Sequence, residues 1–187
     1  SLMSQEAREA PEAVQRFLEM NKLVLREIGQ RLSATPPTLV LTSARGSSDN
    51  AAAYLKYLTE IVTGTPVASI GASVVSVYGA KLKAQNSLAV TISQSGKSPD
   101  IVALQQAARQ AGAFTVAIVN VENSPAAHSA DLCLPLYAGV EQSVAATKSF
   151  IVSLVAAASL VAAWSKDEIL SSAIQDLPKQ LHEAAQL

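Results

Sequence analysis

Cysteine, histidine and aromatic residues are scarce in this chain: its 187 residues include one Cys, two His and 4% aromatics. The lone thiol, Cys133, cannot close an intrachain disulfide, and its place in the apolar run Leu132 to Leu136 reads as inert core in a protein of a reducing cytoplasm. No spacing of His, Cys or acidic residues fits a metal site. Neither G-x-G-x-x-G nor G-x-x-x-x-G-K-[ST] occurs, so the familiar nucleotide loops are absent and no metal or organic cofactor is expected. Charge of one sign is also lacking. A net charge of -1 with 16% charged residues offers neither a basic surface for nucleic acid nor an acidic disordered block, and favours a small-molecule ligand. The most apolar stretch, Phe150 to Trp164, is shorter than the roughly 20 residues that cross a bilayer and has Lys148 just ahead of it, so no membrane span is expected. Such a helix, apolar nearly all round, must be buried in a core or against a partner. The opening SLMSQEAREAPE lacks the basic and apolar regions of a signal peptide, and Ser1 and Leu2 ahead of Met3 read as a cloning remnant.

What is present is alternation of apolar runs with helical periodicity. A chain of this length can bury about 70% of its unfolded surface in one α/β domain without a staple. Gln5 to Ala34 reads as one or two helices with Pro11 near a boundary, its charges mostly a solvated face. Strands are expected over Thr38–Thr42, Val67–Ile70, Ser87–Ile92, Ala113–Val119 and Asp131–Leu136. Helices are expected over Asp49–Val62, Ser98–Gly112 and Ser143–Trp164, with a last one over Asp167–Leu187 interrupted by Pro178. Three segments follow: a helical segment 1–34, a sheet domain 35–165 and a helical tail or linker 166–187. Strands alternating with helices predict a three-layer α-β-α sandwich, flavodoxin-like, with a five-stranded parallel sheet of order 2-1-3-4-5.

That order makes strands one and three neighbours and puts the ligand crevice between their carboxyl ends. The loops leaving those two strands are alike. After Ser87–Ile92 come Ser93, Gln94, Ser95 and Gly96, then Ser98 as a helix N-cap, Pro99 at the first helical position and Asp100 complementing the helix dipole. After Thr38–Leu41 comes SARGSSD, Ser43 to Asp49. Either loop alone could be a plain solvated turn. Together at a switch point they gather unpaired N–H groups and hydroxyls suited to an anion such as phosphate. Asp49 and Asp100 oppose an anion, and Lys97 or Arg45 can offset them. Glu141, on the same edge, is either an acid/base group or a carboxylate near a helix start. His128 reads as a surface or capping residue, and Lys148 as a local counter-charge.

GSS at 46 to 48, SQSGKSPD at 93 to 100 and VAATKS at 144 to 149 resemble the sugar isomerase (SIS) family. The nearest likeness is to the isomerase part of glucosamine-6-phosphate synthase and to SIS-type glucosamine-6-phosphate deaminases, over about Thr38 to Trp164. The resemblance implies that Ser93, Gln94, Ser95 and Ser98 clasp a sugar phosphate, that Gly46, Ser47 and Ser48 lie beside sugar and phosphate, and that Val144 contacts the sugar. Glu141 aligns with an acidic residue ahead of the last motif. Lys97, where the synthase is acidic, and Ala146, where it has serine, lean toward the deaminase branch. The implied activity is deamination or aldose–ketose isomerisation of a substrate such as glucosamine 6-phosphate or fructose 6-phosphate. Both need a general base to move a proton between carbons, which in relatives comes from a second SIS half or another subunit. The expectation is a cytoplasmic homodimer that touches neither nucleic acid nor membrane, or one half of a longer protein. A sugar-phosphate sensor in a regulator and a purely structural oligomerisation domain are the rivals.

Overall fold

Along the two central strands the side chains alternate in size, and this sets the layers. In the computed structural model, which describes residues 1–143 and 145–186, β3 (Ser87–Ser93) and β4 (Phe114–Val119) are buried on both faces. Leu88, Val90, Ile92, Val116 and Ile118 point to one face, and Ala89, Ala117 and Val119 to the other. This is the two-residue period of a pleated strand. The side with large residues receives the thicker helical layer. Each such aliphatic side chain contributes about 1.5–3 kcal/mol on burial.

β1 (Leu39–Ser43), β2 (Val67–Ser69) and β5 (Leu132–Pro135) complete an all-parallel sheet of order β2-β1-β3-β4-β5, the order expected from sequence. Val40 pairs with Leu88 in register, and Val90 with Val116. On the large-residue face lie α2 (Ala10–Met20), α3 (Lys22–Ala34), α4 (Ser47–Thr63), α8 (Lys148–Ser165) and α9 (Glu168–Ala184). The other face carries α6 (Pro99–Gln110) and the short α5 (Ser73–Ser76) and α7 (Pro125–Ser129). α1 (Leu2–Arg8) precedes α2 at the amino terminus.

α8 is the hub, packing against α2, α3, α4 and α9. By length and apolarity it could span a bilayer, but 72% of it is buried inside the fold, the pattern of a core helix. Gly29 of α3 lets the two helices approach closely: a Cβ there would fall 2.9 Å from the carbonyl carbon of Ala163.

Three elements differ from expectation. The amino-terminal segment forms three helices, with Pro11 in the first turn of α2, where its missing N–H is no loss. α8 begins at Lys148 instead of Ser143, for a reason found at the site below. α9 runs unbroken through Pro178. Buried Ile174, with Leu170, Leu177 and Leu181 packed against the core, holds the helix together despite the missing N–H.

Cys133 is partly buried on β5. Burial, with Glu122 nearby, pushes its thiol up to about 11. Only the thiolate is nucleophilic, so alkylation by iodoacetamide at neutral pH is expected to be slow in the native chain and to accelerate on unfolding in guanidinium. Native labelling as fast as in the unfolded chain would contradict that burial.

Candidate functional site

Both serine loops leave the carboxyl ends of adjacent strands, and Ser43 Oγ and Thr91 Oγ1, 3.1 Å apart, tie those ends together. Gly46, at φ +60, turns the first loop into α4, whose first turn presents Ser47 and Ser48. In the second loop, Ser93 Oγ accepts the Gly96 N–H at 3.0 Å and Ser95 Oγ accepts the Lys97 N–H at 3.3 Å. A hydroxyl whose oxygen is engaged this way keeps its proton to donate. Gly96 holds the turn at φ +61, and its carbonyl accepts the Ala126 N–H at 3.0 Å. Across the mouth, Arg45 Nη1 meets Asp100 Oδ2 at 2.8 Å, so the carboxylate that opposed an anion is balanced by the arginine of the other loop.

A third loop, between β5 and α8, closes the cleft. Glu141 turns back onto the start of α8: its Oε1 accepts the N–H groups of Thr147 at 2.8 Å and Ser149 at 3.1 Å, and its Oε2 accepts the Ser149 hydroxyl. Thr147, the residue at the cap position, makes no side-chain cap of its own. A carboxylate on the first N–H groups of a helix complements its dipole, and this cap explains why the helix starts at Lys148. Glu6 of α1 holds the same loop from behind, accepting the Gln142 N–H at 2.6 Å, the Ser143 N–H at 3.2 Å and the Ser143 hydroxyl. Those contacts, the Ser143 hydroxyl first, hold its carboxyl below the ordinary carboxylate range.

The resulting cleft, about 300 Å³, is lined by Ser47, Ser48, Ser93, Gln94, Ser95 and Glu141, together with Arg45, Ile101, Ser143 and Ala146. Gly46 shapes the turn without lining it, and Ser98 sits at the N-cap of α6, outside the lining. Val144 lies outside the described residues. Ser143 was not anticipated from sequence, although VAATKS begins one residue after it. A larger cleft, about 390 Å³, opens at the amino edge of the sheet. There Arg31 stacks on Phe114 at 4.0 Å, and Arg109 Nε meets Asp131 Oδ1 at 2.9 Å. The serine hydroxyls of both loops gather at the carboxyl edge. Among the described residues no group of three or more His, Cys, Asp or Glu could hold a metal ion.

Residues 38–163 match the SIS domain family. The isomerizing glutamine–fructose-6-phosphate aminotransferase of Zymomonas mobilis is 35% identical over 143 residues, covering 75% of this chain and 23% of that enzyme. Its counterpart in Symbiobacterium thermophilum is 34% identical over 154 residues, covering 77% and 25%. The chain thus spans about a quarter of the length of these curated relatives. Among solved structures, a Silicibacter pomeroyi protein described provisionally as a phosphosugar isomerase superposes with a TM-score of 0.97 at 43% identity, over 100% of this chain and 57% of that one. The C-terminal domain of glucosamine-fructose-6-phosphate aminotransferase from Francisella tularensis does so at 0.78 and 26%, over 100% and 54%.

Proposed function

Because this chain belongs to the SIS domain family, we propose that its carboxyl-edge cleft binds a phosphorylated sugar, with glucosamine 6-phosphate and fructose 6-phosphate as the leading candidates. It does so as part of an aminosugar-phosphate deaminase or aldose–ketose isomerase that works by acid/base proton transfer. The observation that carries this proposal is the convergence of Ser47, Ser48, Ser93, Gln94 and Ser95, from two loops, on one cleft at the switch point of the sheet.

In this assignment Ser93 and Ser95 donate hydroxyl protons to the phosphate, and Gln94 and the first amides of α4 add further donors. Ser47 and Ser48 flank sugar and phosphate, while Gly46 and Ser98 set the two loops that present them. Val144 keeps the sugar contact that the family resemblance implies. Hydrogen bonds to a charged group contribute about 1.5–3 kcal/mol each, and a millimolar to micromolar ligand needs about 4–8 kcal/mol in total. The serines and a few amides suffice without an arginine cluster. Glu141, with both oxygens engaged at α8, is better suited to shaping the cleft than to accepting a substrate proton. The general base is assigned to the remainder of the longer protein or to a partner subunit of a homodimer. Lys97 and Ala146 favour deamination over glutamine-dependent synthesis.

Calorimetric titration of the 187-residue chain with glucosamine 6-phosphate is expected to show binding without appreciable ammonia release. Ser93→Ala and Ser95→Ala should each weaken it about tenfold or more, the effect of losing one charge-assisted hydrogen bond. In the full-length protein the same changes should raise KM. Unchanged affinity in both variants would remove the phosphate assignment, and robust ammonia release by the isolated chain would contradict the placement of the base elsewhere.

A further inference from the structure

α1 has no hydrophobic reason to lie where it does. Among Leu2–Arg8 the only buried side chain is a carboxylate, Glu6, which is 5% exposed, while Leu2 and Met3 are 53% and 52% exposed. A gap of about 370 Å³ remains beside the helix, bordered by Ile151 of α8 and by Leu181 and Ala184 of α9. What does fix α1 is the loop that closes the cleft. Glu6 spans the Gln142 and Ser143 amides and the Ser143 hydroxyl. One turn further on, Glu9 Oε2 meets Nζ of Lys148 at 2.5 Å, and the Lys148 side chain is only 7% exposed. The end of β5 and the start of the loop are tied to α2 and its C-cap: Arg16 Nε donates to the Tyr137 carbonyl at 3.2 Å, and Asn21 Nδ2 to the Pro135 carbonyl at 2.9 Å. Pro135, Tyr137, Gln142, Ser143 and Lys148 are therefore all fastened by side chains of the first 21 residues.

Ser143 and Ala146 line the cleft, so the groups that fasten the loop act on the wall a ligand would touch. We infer that Glu6 and Glu9 are positioning residues of this site, and that docking of α1 and occupation of the cleft reinforce each other through Gln142, Ser143, Ala146 and Lys148. The inference rests on the carboxyl-edge cleft being the sugar-phosphate site. The coupling is reciprocal: whatever orders the loop favours docked α1, and docked α1 favours the binding-competent loop. Because no apolar side chain of α1 is buried, these polar ties govern its release. α1 thus serves as a clasp instead of a structural layer.

The test is hydrogen exchange followed by mass spectrometry on the 187-residue chain, with and without saturating D-glucosamine 6-phosphate, combined with calorimetric affinities. Ligand should slow exchange in α1 as well as in 139–148 by about fivefold or more, the low end of typical coupling. Glu6→Gln, confirmed as folded by far-UV circular dichroism, should bind about fivefold or more weakly, and its α1 should exchange fast with or without ligand. Glu6→Asp, which keeps the charge, should recover part of the affinity. If Ser93→Ala weakens binding but α1 exchange ignores the ligand, or Glu6→Gln binds as tightly as the parent, the clasp is overturned and the site stands. If the parent fails to bind, or Ser93→Ala binds as the parent does, the site assignment fails and the clasp falls with it.

Discussion

Gly96→Ala is expected to remove the sugar-phosphate binding proposed for the cleft and to lower the melting temperature by roughly 5–15 °C. The backbone there sits at φ +61, a conformation that costs an L residue about 1–2 kcal/mol. A Cβ would also collide with the Ser124 side chain, falling 2.7 Å from its Cβ and 3.3 Å from Cγ1 of Val119. Ser124 is fully buried and caps α7 through the Ala127 N–H, so it has nowhere to go. Overpacking of this kind costs about 1–3 kcal/mol. Together the two effects come to roughly 2–5 kcal/mol, which in a domain of this size corresponds to the shift given. Relief by backbone movement would break the Gly96 N–H to Ser93 Oγ bond and scatter the hydroxyls proposed to hold the phosphate. Scanning calorimetry and titration measure both effects. Adding Ser124→Gly should restore part of the melting temperature, since it removes the collision and leaves the backbone strain. A Gly96→Ala chain that melts and binds as the parent does would show that the loop re-forms freely.

Glu141→Ala is expected to destabilise the chain by about 2–4 kcal/mol, because it strips acceptors from three donors at once. The Thr147 and Ser149 amides and the Ser149 hydroxyl lose their partner, and Ser149 is only 2% exposed. Loss of a helix cap alone costs about 0.5–2 kcal/mol, and each stranded buried donor about 1–3. Glu141→Gln in the full-length protein separates this role from catalysis. The amide keeps one acceptor oxygen, so a capping residue should show a lower melting temperature and a raised KM, with kcat changed by less than about tenfold. A general base contributes about 10²–10⁴-fold. A hundredfold drop in kcat at an unchanged melting temperature would make Glu141 the base.

Sequence alone discloses the sheet order and the two serine loops, for related physical reasons. A strand buried on both faces is apolar along most of its length, as Leu88 to Ile92 and Phe114 to Val119 are apart from Thr91 and Thr115, and the chain alternates such runs with helices. The loops follow those runs directly, so their position on the carboxyl edge comes with the topology. Long-range polar ties are another matter. Glu6 and Glu9 lie 136 to 139 residues from their partners and occupy what periodicity marks as the outer face of an amphipathic segment. Periodicity tells which residues share a face, and nothing in it tells what meets that face. The start of α8 was hidden similarly. Its capping oxygen comes from Glu141, six residues ahead of Thr147, while the sequence from Ser143 onward runs smoothly into the helix. Ser98 shows how ambiguous one residue type can be: it holds the N-cap position of α6 without a side-chain cap bond, and Ser suits both a helix cap and an anion ligand.

The two outer strands of the sheet carry a consequence for behaviour in concentrated solution. β2 has three residues, and β5 has four and ends on Pro135, which lacks an N–H to donate. Strands this short offer little template for another chain to pair with. The segments with the strongest intermolecular pairing tendency, β3 and β4, are enclosed on both sides by their neighbours and on both faces by helices. Aggregation of this protein should therefore follow global unfolding and not precede it, so turbidity on heating should rise only at or above the calorimetric melting temperature.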